Sequence, residues 1–279
     1  MLKPARIRSG FYNLVAMKYF KLILLLLPLL CGSNLIAQEF NKYDKGSFVD
    51  KTDTIAYRIL FPENFDPTKK YPVLFFLHGR GESGNDNEKQ LVNGGKLFLK
   101  PEVRQQFPAI IVFPQCTADS YWANVKITAD SDGKRNFDFV KGGDPTKAMK
   151  ALLGMIDNML DKPYINKNKV YAGGLSMGGM GTYELLRRKP KTFAAAFAIC
   201  GGDNLANVNK YKRVPIWILH GGKDDVVNPA FSIAISNQLK IIGKEVKFTY
   251  FPDANHNSWD SALAEPQLLP WLFSHALKK

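Results

Sequence analysis

Six short apolar runs, separated by stretches of helical periodicity, limit what this chain can become. They are Tyr71–Leu77 (YPVLFFL), 109–113 (AIIVF), 170–172 leading into glycines, Ala195–Ile199 (AAFAI), 215–219 (PIWIL) and 246–251 (VKFTYF). Near-continuous hydrophobic strands suit a parallel sheet covered on both faces. The clearest amphipathic segment between them is 146–160, where Met149, Leu152, Leu153, Ile156, Met159 and Leu160 recur at helical spacing behind Asp144-Pro145. Strand–helix alternation of this kind predicts a doubly wound α/β domain. Ahead of it, 54–61 (TIAYRILF) alternates loosely and predicts one or two antiparallel edge strands. The rhythm breaks at 117–144, 28 largely polar residues with Trp122, Phe137 and Phe139 set into them. A connection that long is a lid, a substrate-binding loop or a plain surface insertion. Its position after a strand's carboxyl end favours the first two.

The first 37 residues stand apart. They carry Lys3, Arg6, Arg8, Lys18 and Lys21, no acid, an apolar run over 22–31 and a small-residue ending at Ala37. That is the layout of a secretory signal, with Met1 or Met17 as the start and cleavage expected after Ala37. The run is shorter than the roughly 20 apolar residues of a spanning helix, so stable membrane insertion is not expected. Lipid anchoring at Cys31 fits less well, because Leu30 stands where a small residue belongs. The domain reading is therefore a signal over 1–37, a catalytic domain over 38–279, and export to the periplasm or beyond. Without those five basic residues, 33 of the 38 Lys+Arg remain against 25 Asp+Glu, a net charge of +8. The excess is scattered, and no recognition helix, zinc finger or aromatic–basic platform accompanies it, which argues against nucleic acid as a partner.

Chemistry concentrates where the run at 170–172 ends. YAGGLSMGGMG places Ser176 among five glycines, and Gly174-Leu175-Ser176-Met177-Gly178 fits G-x-S-x-G, a sharp turn between a strand and a helix. A helical segment is expected over 182–188, with Gly179 and Gly181 letting it lie tight on the sheet. A serine hydroxyl needs a base and an orienting carboxylate. With four histidines the search is short. His256, in DANHNSWD, follows the last strand and is the expected base. His78 and His220 lie upstream of any plausible acid, and His275 is expected to face solvent. Asp224 is the first carboxylate beyond PIWILHGGK and is preferred as the acid; Asp225 is the alternative, and Asp253 reads as a turn residue. HGRG, following YPVLFFL, is placed to complete an oxyanion hole from the N–H of Arg80 with that of Met177.

LHGRGESGNDN, FPQC with a later Trp, YAGGLSMGG, HGGKDD and HNSWD together resemble secreted esterases of the α/β-hydrolase fold. The resemblance is to the group of dienelactone hydrolases, phospholipases/carboxylesterases and single-domain prolyl-oligopeptidase-like enzymes, and spans roughly 50–275. It implies a mostly parallel sheet with helices on both faces. It implies Ser176 as nucleophile, Asp224 as acid, His256 as base, Arg80 and Met177 as oxyanion donors, and Gln115 and Trp122 near an acyl pocket. Two features depart from the family pattern: Asn228 precedes Pro229 where a proline often follows the valines directly, and the 117–144 loop is long. The family's strand order also puts two strands between those preceding Cys116 and Cys200. That is roughly 14 Å, too far for a disulfide.

The sequence thus predicts a serine carboxylic-ester hydrolase working through an acyl-enzyme, without metal or cofactor. Acetyl or feruloyl esters on polysaccharides, or small esters, are its expected partners. A small serine peptidase of the prolyl-oligopeptidase type is the alternative reading. A catalytically silent binding protein is a third, and the presence of all three triad residue types argues against it. Oligomeric state is not legible.

Overall fold

The computed structural model describes residues 40–50, 53–244 and 246–278, in two units. Of the first, 1–42, only the 3-10 turn Phe40–Lys42 is described, so the signal reading of 1–37 lies outside the described residues. Among the described residues no helix is long and apolar enough to cross a membrane.

The second unit is built on one eight-stranded sheet. Its strands are β1 (Asp44–Asp50), β2 (Asp53–Leu60), β3 (Tyr71–Leu77), β4 (Ile110–Gln115), β7 (Ile165–Leu175), β8 (Ala195–Ile199), β9 (Ile216–Gly221) and β10 (Lys247–Phe251), in the order β1-β2-β4-β3-β7-β8-β9-β10. A separate hairpin contributes β5 (Val125–Ala129) and β6 (Arg135–Phe139). β1 and β2 run antiparallel at one edge, and every pairing from β4 to β10 is parallel. The α/β-hydrolase architecture expected from the sequence is what the chain adopts.

The strands with fewest polar residues lie deepest. β4, β8 and β9 are buried along their whole length, as are the last five residues of β3. β1 was not anticipated. Its sequence, DKGSFVD, is largely exposed and lacks an apolar run; β2 holds it through a full antiparallel register from Asp44↔Ile59 to Asp50↔Asp53.

The helices are α1 (Pro101–Gln106), α2 (Lys147–Leu160), α3 (Met177–Arg188), α4 (Val208–Tyr211), α5 (Ala230–Ile241), α6 (Trp259–Leu263) and α7 (Leu268–Ser274). Thr146 caps α2, its hydroxyl accepting from Met149 N–H at 3.2 Å. Ala148, Met149, Ala151, Leu152, Met155, Ile156 and Met159 form the buried stripe, so the helix turns Met155 inward and leaves Leu153 and Leu160 only partly covered.

β3 and β7 are neighbours, yet the chain leaves β3 for β4 on one side and β7 for β8 on the other. That reversal opens a crevice beyond the carboxyl ends of the strands, where open α/β sheets bind ligands. The segments after β3, β7 and β9 all emerge on that rim.

The 117–144 excursion is not structureless. It contains the β5–β6 hairpin, whose strands pair from Val125↔Phe139 to Ala129↔Arg135. Asn124 Nδ2 closes its base by donating to Gly142 O and Asp144 O, while Asn204 and Asn207 donate to Phe139 O and Val140 O.

Candidate active site

Between β7 and α3 the chain turns through Ser176 at φ 52°, ψ −117°. A non-glycine residue there stores strain, and the surroundings hold it. Ser176 N–H donates to Ile199 O at 2.9 Å, and Met180 N–H donates back to Ser176 O at 3.0 Å. A methyl on Gly178 would collide with the Leu77 carbonyl, and one on Gly174 with the backbone of Gly178. The turn therefore requires glycine on both sides for close approach rather than for flexibility. The helix starts earlier than the sequence indicated: Met177 through Gly181 already belong to α3.

Ser176 Oγ stands 2.9 Å from His256 Nε2, and His256 Nδ1 stands 2.9 and 3.0 Å from the two Asp224 carboxylate oxygens. The carboxylate fixes the tautomer, with the proton on Nδ1 and a free lone pair on Nε2 facing the hydroxyl. Asp224 is itself heavily anchored. Oδ1 accepts from Val226 N–H at 3.0 Å and Val227 N–H at 2.8 Å, and Oδ2 lies 3.2 Å from His220 Nε2. Burial alone would raise its pKa. The hydrogen bonds from His220, His256 and the Val227 amide outweigh that and hold the carboxyl well below its usual range.

The other candidate acids go elsewhere. Asp225 accepts from Asn255 Nδ2 at 3.1 Å, tying the acid-bearing loop to the histidine-bearing one. Asp253 forms an exposed ion pair with Lys223. His275 is half-buried and hydrogen-bonded to Trp271 O at 2.7 Å, not the free surface group the sequence suggested.

The segment after β3 passes directly over the serine: a methyl on Gly79 would sit 3.7 Å from Ser176 Cβ. His78 fixes this segment. Cys116 N–H donates to its Nε2 at 2.9 Å, so the ring proton lies on Nδ1, which donates to Gly79 O at 2.6 Å. Burial lowers the His78 pKa to about 4 and keeps it neutral. Met177 N–H, the first amide of α3, has no intrahelical partner, and neither it nor Arg80 N–H donates to another described residue. Both amides are free for an oxyanion. The Arg80 guanidinium has separate work: it donates to Ala118 O and Ser120 O at 2.6 and 2.7 Å and lies over the Tyr121 ring. It straps the start of the 117–144 excursion to the loop beside Ser176.

Gln115 and Trp122 are buried beside the site. Both are at most 1% exposed. Gln115 donates to Glu82 O and Asp86 Oδ1 and accepts from Asn87 N–H, bracing the HGRGESG loop. Trp122 packs edge-on against His78 and fills the space left by Gly181. They support the site from behind. The half-buried aromatics near the rim are instead Tyr121, Phe137 and Phe231, gathered with Val226 around Ala123, Phe139, Met180 and Val227. The sequence sets His220 aside as a base and reads Cys200 only as an unpaired thiol, yet both lie at the site; pairing of Ile199 with Leu219 across β8 and β9 draws them together, and spacing carries no signal of it. Cys116 and Cys200 are both free, as the strand order implied.

A family model described as phospholipase/carboxylesterase matches residues 66–267. A thermostable esterase of known structure is 30% identical, superposes with a TM-score of 0.76, and is matched over 86% of this chain and 64% of its own. The bifunctional acetylxylan esterase/xylanase of Neocallimastix patriciarum is 40% identical over 84 residues, 30% of this chain and 12% of the relative. Dipeptidyl-peptidase 5 of Aspergillus fumigatus is 24% identical over 268 residues, 82% of this chain and 34% of the relative. The chain spans about a third or less of the length of these curated relatives.

Proposed function

Because this chain belongs to the phospholipase/carboxylesterase family, we propose that it is an exported serine hydrolase that cleaves carboxylic esters through an acyl-enzyme on Ser176. The observation that carries the reading is the unbroken hydrogen-bonded line from Ser176 Oγ through His256 to Asp224, with steps of 2.9 and 2.9 Å. His256 Nε2 takes the hydroxyl proton as Oγ attacks the carbonyl carbon. Asp224 keeps the ring oriented and stabilises the imidazolium. The Met177 and Arg80 amides receive the oxyanion, each contributing roughly 3 kcal/mol to the transition state. The imidazolium then protonates the departing alcohol, and a water activated by the same nitrogen releases the acid and restores Ser176.

Esters carried on polysaccharides are the substrates we favour, acetyl or feruloyl in particular. The acetylxylan esterase relative supports an acetyl group. The half-buried aromatic side chains Tyr121, Phe137 and Phe231, grouped near the rim, support an aryl one. The signal-like layout of 1–37 supports export. Incubating the protein with acetylated and feruloylated xylan should release acetate or ferulate, and Ser176→Ala should release neither; turnover of long-chain acyl esters alone would sink the substrate assignment. Peptide cleavage is the second reading, favoured by the match to dipeptidyl-peptidase 5 over most of this chain. Proline-amide substrates assayed beside p-nitrophenyl acetate separate the two.

A further inference from the structure

Cys200 follows β8 directly and takes no part in the ester chemistry above. It is one of four non-glycine residues with positive φ among the described residues, at 41°. Its N–H donates to Leu219 O at 2.9 Å and its side chain is fully buried. The result is a close grouping: Cys200, Asp224 and His256 each offer a ligand atom, and the three atoms lie within 4.8 Å of one another. Ser258 is buried beside the thiol and its hydroxyl interacts with it.

We propose that Cys200 Sγ, His256 Nδ1 and the Asp224 carboxylate form a latent site for a borderline-soft divalent cation such as Zn2+, whose occupation switches the hydrolase off. The ligand types suit zinc: thiolate, imidazole and carboxylate are its ordinary set, at about 2.3, 2.0 and 2.1 Å. Tetrahedral geometry at those lengths needs ligand atoms about 3.3–3.5 Å apart. The grouping must therefore close by about 1.3 Å at its widest, and the 2.9 Å contact between His256 Nδ1 and Asp224 must open slightly. His256 stands on the segment after β10 with its side chain 19% exposed, so the ion enters from the rim past the imidazole.

Binding conserves charge and involves no oxidation. The Cys200 S–H bond breaks, its proton passes to solvent, and the pair left on sulfur forms the Zn–S bond. His256 shifts its proton from Nδ1 to Nε2 and gives the Nδ1 lone pair to the metal. Nε2–H then points at Ser176 Oγ as a donor, and the hydroxyl has no base. Inhibition thus arises from the wrong tautomer, with every active-site residue still in place.

The test uses the whole folded protein in a buffer that does not chelate metals. In the ester assay, each variant is compared with its own metal-free rate. Wild type should lose activity about tenfold at a Zn2+ concentration ten times the dissociation constant, and EDTA should restore it. Cys200→Ser should move the inhibition midpoint upward by about tenfold or more, since a hydroxyl is a far weaker ligand than a thiolate; Cys116→Ser should not move it. Cd2+ titration followed by the ultraviolet thiolate-to-metal band provides a readout that needs no catalysis. The band should appear in wild type and Cys116→Ser and be missing in Cys200→Ser. Equal zinc sensitivity in wild type and Cys200→Ser, or absence of the band in wild type, overturns the site. A band without loss of ester turnover overturns the switch. A band in a protein that hydrolyses no ester would instead count against the hydrolase reading, on which only the inhibition arm rests.

Discussion

Around Ser176 the backbone leaves no slack: Gly174 and Gly178 exclude even a methyl, Ser176 is bonded fore and aft to Ile199 and Met180, and Asp224 is gripped by two amides and two imidazoles. In the β5–β6 hairpin a few tens of residues away, Lys126–Ala129 and Arg135–Asn136 are exposed, and the attachment rests on asparagine side chains and a small aromatic cluster. On the proposed function, the two regions would divide the work between chemistry and selectivity. Groups that must align within tenths of an ångström are locked by main chain that few substitutions can move. The hairpin instead hangs on side chains that can change one at a time.

The contrast breaks most sharply at the nucleophile. Ser176→Ala should lower kcat by about 10^6-fold while leaving the fold intact, as measured by burst and steady-state hydrolysis of p-nitrophenyl acetate; labelling by a fluorophosphonate probe should vanish with it. Asp224→Asn should cost about 10^4-fold, because an amide no longer holds the His256 proton on Nδ1. If Asp224→Asn were as active as wild type while Asp225→Asn were inactive, the acid would have been misassigned despite the contacts described.

A third measurement probes how rigid the oxyanion side of the rim is. His78 is buried and neutral, with its pKa lowered from 6.5 to about 4. The unfolded chain therefore binds a proton between those values that the folded chain refuses, and stability falls as pH drops from about 6.5 to about 4, flattening below. That difference corresponds to about 3 kcal/mol. Urea unfolding across that range should show the decline, and His78→Gln should remove this pH dependence even though it lowers stability throughout. Asp224 works in a lower window. Its folded pKa is depressed, so its contribution is complete above the unfolded carboxylate value near 3.9 and is lost as pH falls further.

These differences also explain what could be read in the sequence. Runs such as YPVLFFL and AAFAI announce strands because burial on both faces leaves almost no polar positions. DKGSFVD and the two hairpin strands carry no such signal because exposure lets polar residues into them, and pairing rather than pattern makes them strands. Ser176, Asp224 and His256 could be nominated because each follows a strand end, and the structure does bring them into contact. Gln115 and Trp122 came from resemblance and turned out to be buried supports. Cys200 and His220 were invisible as neighbours of the triad because β8–β9 register, not spacing, puts them there.

The hairpin offers the smallest effect and the finest discrimination. Phe137 is half-buried and stacks on Phe139 at 6.2 Å with rings 14° apart. Such a pair is worth about 0.5–1.5 kcal/mol beyond its area, and a substrate ring resting on it would draw on a similar quantity. Phe137→Ala should therefore reduce kcat/KM for a feruloyl ester by about two- to tenfold, mainly through KM, and leave acetyl ester turnover unchanged. An equal loss on both substrates would mean that the hairpin braces the catalytic rim itself, and the division between a locked engine and a replaceable wall would not hold for this protein.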